Sequence, residues 1–169
     1  MENIIDLPEN DRDDDLKDWA LFINQSSDYY IPKWYDFKSG KSIVSFNIAP
    51  FFLGVLWMLF RKMYLASFIW LGVTIAIGFL EEFLIEQNQW YEARGAIETI
   101  FNLIFAIVMG LFGNWFYYLS AERKIQGIRG TVFGQEAYEK ELRKQGGVAW
   151  GPPLIAITLY ALLVAYLMQ

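Results

Sequence analysis

Cysteine and histidine are both absent from the 169-residue chain. Without thiols there is no disulfide framework and no Cys nucleophile. Without imidazole there is no Ser–His pair, and neither zinc nor haem can be held in its usual way. A carboxylate-only metal site is the one metal chemistry left open, and neither a metal nor any other cofactor is expected. Interspersed charge is also missing: only 20% of residues are charged, and they are bunched instead of being scattered as on a soluble globular surface. The opening "MENIIDLPENDRDDDLKDW" is acidic and polar, unlike the basic start and apolar core of a signal peptide, so none is expected.

What is present is apolar and aromatic, at 55% and 18% of residues, and it falls into long uncharged stretches. Apolar character runs from Ile43 to Leu80 with only Arg61 and Lys62 near its middle. A single helix over that run would be about 57 Å long, nearly twice the hydrocarbon thickness of a bilayer. The run therefore divides at the cationic pair. Four segments result: 43–60, 63–80, 97–119 and 150–168. The last three are each long enough to span, at roughly 27–35 Å. The first carries Ser45, Asn47 and Pro50 near its start and leaves about ten clean apolar residues, which suits a re-entrant or interfacial helix. Lys33, Lys38 and Lys41 precede it and Arg61 and Lys62 follow it, so both ends prefer the same side.

The connections carry the same asymmetry. "EEFLIEQNQWYEARGA" sets Glu81, Glu82, Glu86 and Glu92 against Arg94 alone, as an outer loop should. The connection 120–149 holds Arg123, Lys124, Arg129, Lys140, Arg143 and Lys144, as a cytoplasmic one should. Trp57, Tyr64, Trp90, Tyr91, Trp115, Tyr117, Tyr118 and Trp150 fall near the expected interfaces, as aromatic belts do. The expectation is an all-α, multi-pass inner-membrane protein with its N-terminus in the cytoplasm. It has three transmembrane helices, a re-entrant or interfacial helix, and a short cytoplasmic N-terminal helix. Residues 1–42 form an acidic cytoplasmic region and 43–169 the membrane domain. The rival topology makes 43–60 a full span and puts the acidic N-terminus outside.

The polar pieces are small. After a flexible first dozen residues, "DDDLKDWALFI" reads as an amphipathic helix capped by one of Asp13 to Asp15, with Leu16, Trp19, Ala20 and Ile23 on one face. The acids from Asp11 to Asp18 read first as a solvated tail, and second as a plug for the basic cluster. Gly127, Gly130 and Gly134 break the inner connection. "GQEAYEKELRKQGG" then forms a short helix with Glu136–Lys140 and Glu139–Arg143 at i,i+4 spacing, ended by Gly146–Gly147.

Three blocks resemble a family. Tyr29-Tyr30 with Trp34 is a Tyr-Tyr-x-x-x-(Trp/Phe) lead-in. Phe46-Asn47, Trp57 and Arg61-Lys62-Met63-Tyr64 form an aromatic-rich block, and Gly113-Asn114, Tyr117 and Lys124-Ile125 form a third. Together they resemble the 2628 family of bacterial membrane domains of unknown function, over about residues 28 to 128. Ile48 and Pro50 depart from its pattern. The resemblance implies a small inner-membrane protein and no established chemistry.

Function must come from the residues. In the third segment Glu98, Asn102, Ala106, Gly110 and Asn114 fall on i,i+4 steps, with Gly113 beside them, so one helix face is polar or small. That face reads either as a helix-packing surface or as the lining of a pore in a homo-oligomer, with Glu98 as a cation-favouring ring. Arg61, Lys62, Arg123, Lys124, Arg129, Arg143 and Lys144 form a basic cytoplasmic cluster. It binds anionic lipid or, repeated around an oligomer, holds a nucleotide or other polyanion. Glu81 and Glu82 point about 100° apart on a helix, so they make no catalytic pair. An enzyme is not expected, and neither is direct readout of duplex nucleic acid. The leading expectation is a homo-oligomeric pore or ion-conducting effector, by analogy a toxic anti-phage effector gated by a cytoplasmic nucleotide. The alternative is a non-conducting membrane scaffold or assembly factor that binds another membrane protein.

Overall fold

The protein is described from a computed structural model over residues 9–168; the expectation of a flexible first dozen residues lies largely outside that range. Eight α-helices and no strand occur among the described residues: α1 (Glu9–Ile23), α2 (Ser27–Lys38), α3 (Ile48–Leu53), α4 (Val55–Phe60), α5 (Tyr64–Asn88), α6 (Arg94–Thr131), α7 (Gln135–Gln145) and α8 (Gly151–Leu167). Two of them, α5 and α6, are long and apolar enough to cross a membrane. The apolar helix α8 has 17 residues, about 26 Å.

Helix α6 is the spine. Its 38 residues rise about 57 Å, well past the apolar stretch that ends near Leu119. Residues 120–131 were expected to be loop, broken at Gly127 and Gly130, yet both glycines lie inside the helix. The reason is a stripe at helical spacing, Ala121, Ile125 and Ile128, which is buried in a core shared with Trp19, Phe22 and Ile23 of α1, Trp34 and Phe37 of α2, and Leu142 of α7. Burying the two isoleucines contributes roughly 1.5–3 kcal/mol each, more than the ~1 kcal/mol each glycine costs in a helix. A compact head thus forms around the far end of α6, and residues on both sides of position 42 share its core.

The segment 43–60 contains no continuous helix, so a full span there has no physical basis: α3 and α4 have six residues each, about 9 Å. Gly54, at φ +49°, makes the break between them, in a region of backbone space that side chains rarely adopt. Before α3 the chain is extended and lies directly on α6. The Ser45 amide donates to the Leu111 carbonyl at 3.0 Å and the Asn47 amide to the Gly110 carbonyl at 2.8 Å. Non-helical backbone beside an apolar helix is tolerable only when its amides are satisfied in this way. Gly110 and Gly113 permit the approach, since a Cβ on Gly113 would meet the Pro50 ring at 2.7 Å.

The turn from α4 into α5 is the Arg61-Lys62 pair itself. Lys62 adopts φ +57°, which costs about 1–2 kcal/mol for a non-glycine residue. Its carbonyl accepts from Lys124 Nζ at 2.8 Å, and its own Nζ donates to the Lys144 carbonyl at 3.0 Å. The expected outer loop is shorter than the charge pattern suggested. Glu81, Glu82 and Glu86 extend α5, and only Gln89 to Ala93 turn the chain before α6.

Candidate functional site

The residues that carry the family resemblance are distant in sequence but converge at one junction, where the head meets the apolar helices. Each helix supplies a short same-face set: Tyr30 and Trp34 at i,i+4 on α2, Trp57 and Arg61 at i,i+4 on and just after α4, and Asn114 and Tyr117 at i,i+3 on α6. All six are buried. The Tyr117 ring is central, with ring centroids 5.1 Å from Trp34, 5.2 Å from Tyr30 and 6.1 Å from Trp57. Trp57 and Tyr117, expected in an interfacial belt, are therefore core residues.

Arg61 is 7% exposed. Its Cζ lies 4.6 Å from the Tyr30 ring centre and 5.2 Å from that of Tyr117, and Nη2 donates to the Tyr30 hydroxyl at 3.1 Å. Among the described residues no carboxylate pairs with it, and Nε and Nη1 make no hydrogen bond. Trp34 Nε1 and the Tyr117 hydroxyl are likewise buried without a partner. Beside this cation sits a satisfied amide network. Asn114 Oδ1 accepts from Asn47 Nδ2 at 2.7 Å, and Asn114 Nδ2 lies 3.1 Å from Ser45 Oγ, 3.3 Å from the Ser45 carbonyl and 3.2 Å from the Tyr29 hydroxyl. Asn47 Oδ1 caps α3 by accepting from the Ala49 amide at 3.0 Å.

A second polar constellation lies in the head. Arg129 of α6 pairs with Asp15 at 2.8 Å and with Asp18 at 2.8 Å, Lys38 also pairs with Asp15, and the Tyr138 hydroxyl donates to Asp18. A cleft of about 530 Å³ opens over these groups. Burial works against the Asp15 charge, but Lys38 and Arg129 outweigh it and hold the carboxyl below its ordinary value. Burial, with Asp18 beside it, pushes the Tyr138 phenol up to about 12. Asp13 to Asp15 do not cap α1, which begins at Glu9, and Asp15 and Asp18 are not solvated but turn onto α6. In α7, Glu139 pairs with Lys17 of α1 at 2.9 Å.

The expected polar face of α6 divides. Gly110, Gly113 and Asn114 are buried under α3 and the strand-like segment before it, whereas Glu98 and Asn102 are exposed and Ala106 is half-buried. Near Glu98, Arg94 forks onto Glu82 at 2.6 and 2.7 Å. The basic cluster also disperses. Arg61 is buried, Lys62 and Lys124 are spent on carbonyls, Arg129 is paired to Asp15 and Asp18, Lys144 reaches Glu141 at 3.2 Å, and Arg123 and Arg143 are exposed. Tyr29, Trp34, Ser45 and Asn47 take part in these sites without having been expected to, whereas Asp15 and Asp18 meet Arg129 in line with the second reading of the acidic run, docked on a residue of the basic cluster. The blocks quoted for the resemblance already contained Tyr29, Trp34 and Asn47.

No group of three or more acidic side chains placed to hold a metal ion occurs among the described residues. Residues 15–123 match the model of a family described as "Protein of unknown function (DUF2628)". No curated protein and no solved structure matches the chain.

Proposed function

The chain belongs to the DUF2628 family, and from its geometry we propose that it is a multi-pass inner-membrane scaffold that assembles through the outer half of α6, with a second copy or another membrane protein. In this reading α5, α6 and α8 span the bilayer and the head lies in the cytoplasm. Arg61, Lys62, Arg123, Lys124 and Arg129 sit at the head end of the apolar helices, and Glu82, Glu86 and Glu92 at the other, which supports that orientation.

The observation that carries the proposal is the division of the α6 polar face. Its inner half is already packed by α3 of the same chain, which leaves no continuous stripe for water. Its outer half leaves Glu98 and Asn102 uncovered on an otherwise apolar helix. Polar side chains at that depth normally face protein. Their hydrogen bonds to a partner contribute roughly 0.6–2 kcal/mol each.

Association can be read as energy transfer between labelled copies in liposomes at increasing lipid dilution, alongside crosslinking to membrane neighbours. Asn102→Leu is expected to weaken whichever association is seen by roughly 3- to 30-fold, the same 0.6–2 kcal/mol expressed as a ratio. Undiminished association would remove α6 from the interface. The pore or nucleotide-gated effector is the second reading, supported by the exposed Glu98 carboxylate at the mouth of the apolar region. Ion flux from liposomes that disappears in Asn102→Leu would replace the scaffold with it.

A further inference from the structure

The junction around Arg61 contains a cation and several hydrogen-bond donors without matching acceptors. Stripping a guanidinium of water is costly, and cation–π contact with two tyrosines offsets only part of that cost. The neighbouring basic residues have partners: carbonyls for Lys62 and Lys124, carboxylates for Arg129. Arg61 alone among these is buried with no carboxylate. Its Nε and Nη1, Trp34 Nε1 and the Tyr117 hydroxyl are all unpartnered, and they flank the same Tyr117 ring, at 5.1 Å for the Trp34 ring centroid and 5.2 Å for Arg61 Cζ.

We propose that this junction holds a phosphate oxyanion against Arg61, with the Trp34 indole N–H and the Tyr117 hydroxyl as further donors. Three features favour this chemistry. The unsatisfied nitrogens are donors only, so a species that only accepts fits them, whereas a water would bring two hydrogens needing acceptors of their own. Two of the nearby acceptors are already engaged: the Tyr30 hydroxyl takes Arg61 Nη2, and Asn114 Oδ1 takes Asn47. A guanidinium and an oxyanion form charge-assisted hydrogen bonds roughly twice as strong as neutral ones, and the pair neutralises a buried charge. The site lies where α4 turns into α5, at the end of the apolar helices, which is headgroup depth for a bilayer. The phosphate could thus belong to a phospholipid or be free. This inference stands on the junction alone and is independent of any partner for α6.

The test uses the full-length chain, delipidated in phosphate-free detergent and titrated by calorimetry with inorganic phosphate and, separately, with dihexanoyl phosphatidylglycerol. Saturable binding of one of them is expected, and which one binds identifies the source. Arg61→Met should weaken it at least tenfold and Trp34→Phe by about threefold to tenfold, losses of the size given by removing a charged or a neutral donor. Lys140→Ala, an exposed cation on α7, should leave it unchanged. If Arg61→Met fails to fold, Trp34→Phe decides. Binding of neither probe, equal loss in Lys140→Ala and Arg61→Met, or unaltered binding in Trp34→Phe would overturn the proposal, the last because it places the anion elsewhere.

Discussion

Replacing Asn114 by alanine tests how the extended segment is held on α6. The side chain is fully buried and is the only one that bonds both Asn47 and Ser45 among the described residues. Its loss strands Asn47 Nδ2, and the Ser45 carbonyl loses its side-chain donor. Each unsatisfied buried group costs about 1–3 kcal/mol, and Ser45 Oγ can reorient to recover part, so about 2–4 kcal/mol is expected in all. The cost should fall on local opening, because the segment's other hydrogen bonds to α6 are two amides, Ser45 to Leu111 and Asn47 to Gly110. At about 1.4 kcal/mol per decade, hydrogen exchange over residues 42–53 should accelerate roughly 30- to 1,000-fold while α1 and α7 stay protected. Mass spectrometry of peptides from detergent-solubilised protein reads this directly. Pairing the change with Asn47→Ala should cost less than the sum of the two, since each alone leaves the other amide unpartnered. Acceleration below threefold, or an equal acceleration throughout the head, would refute the reasoning.

Two further outcomes follow from the head. Asp15 has a folded-state pKa below its ordinary 3.8, so its pairing contributes full stability above that value and loses it as the pH falls through the lowered one. Acid titration should therefore release α1, seen as a red shift in Trp19 emission below about pH 4, and Asp15→Asn should remove that transition. Gly146→Ala should separate α7 from α1, because a Cβ there would lie 2.0 Å from the Phe22 carbonyl oxygen, which already accepts the Gly147 amide at 2.7 Å. Trypsin cleavage after Arg143 or Lys144 should rise severalfold, and an unchanged rate would show that the joint can yield.

Several features were legible because they depend on local composition alone. The apolar stretches at 63–80 and 150–168 lie within or against α5 and α8, and the helix read in "GQEAYEKELRKQ" ends at its glycine pair, as observed. Such properties follow from hydropathy and backbone preference, which act at short range. The interruption at Arg61-Lys62 was visible for the same reason. It is a turn, with Lys62 in the left-handed region.

What the sequence alone determined is therefore the class of the molecule and the ends of its most strongly patterned helices, together with the residues that mark the family. Tertiary structure decided the rest, because the same local pattern could be satisfied by several partners. The polar stripe of α6 could have faced another chain, water or its own chain, and α3 took the inner half because Gly110 and Gly113 let Pro50 and Phe51 close on it. Ala121, Ile125 and Ile128 became helix rather than loop because α1, α2 and α7 were there to bury them. Asp15 and Asp18 looked like a solvated charge run until Arg129, more than a hundred positions away, was brought beside them. Long-range charge and packing partners are set by where the chain returns, and no local window of residues contains that information.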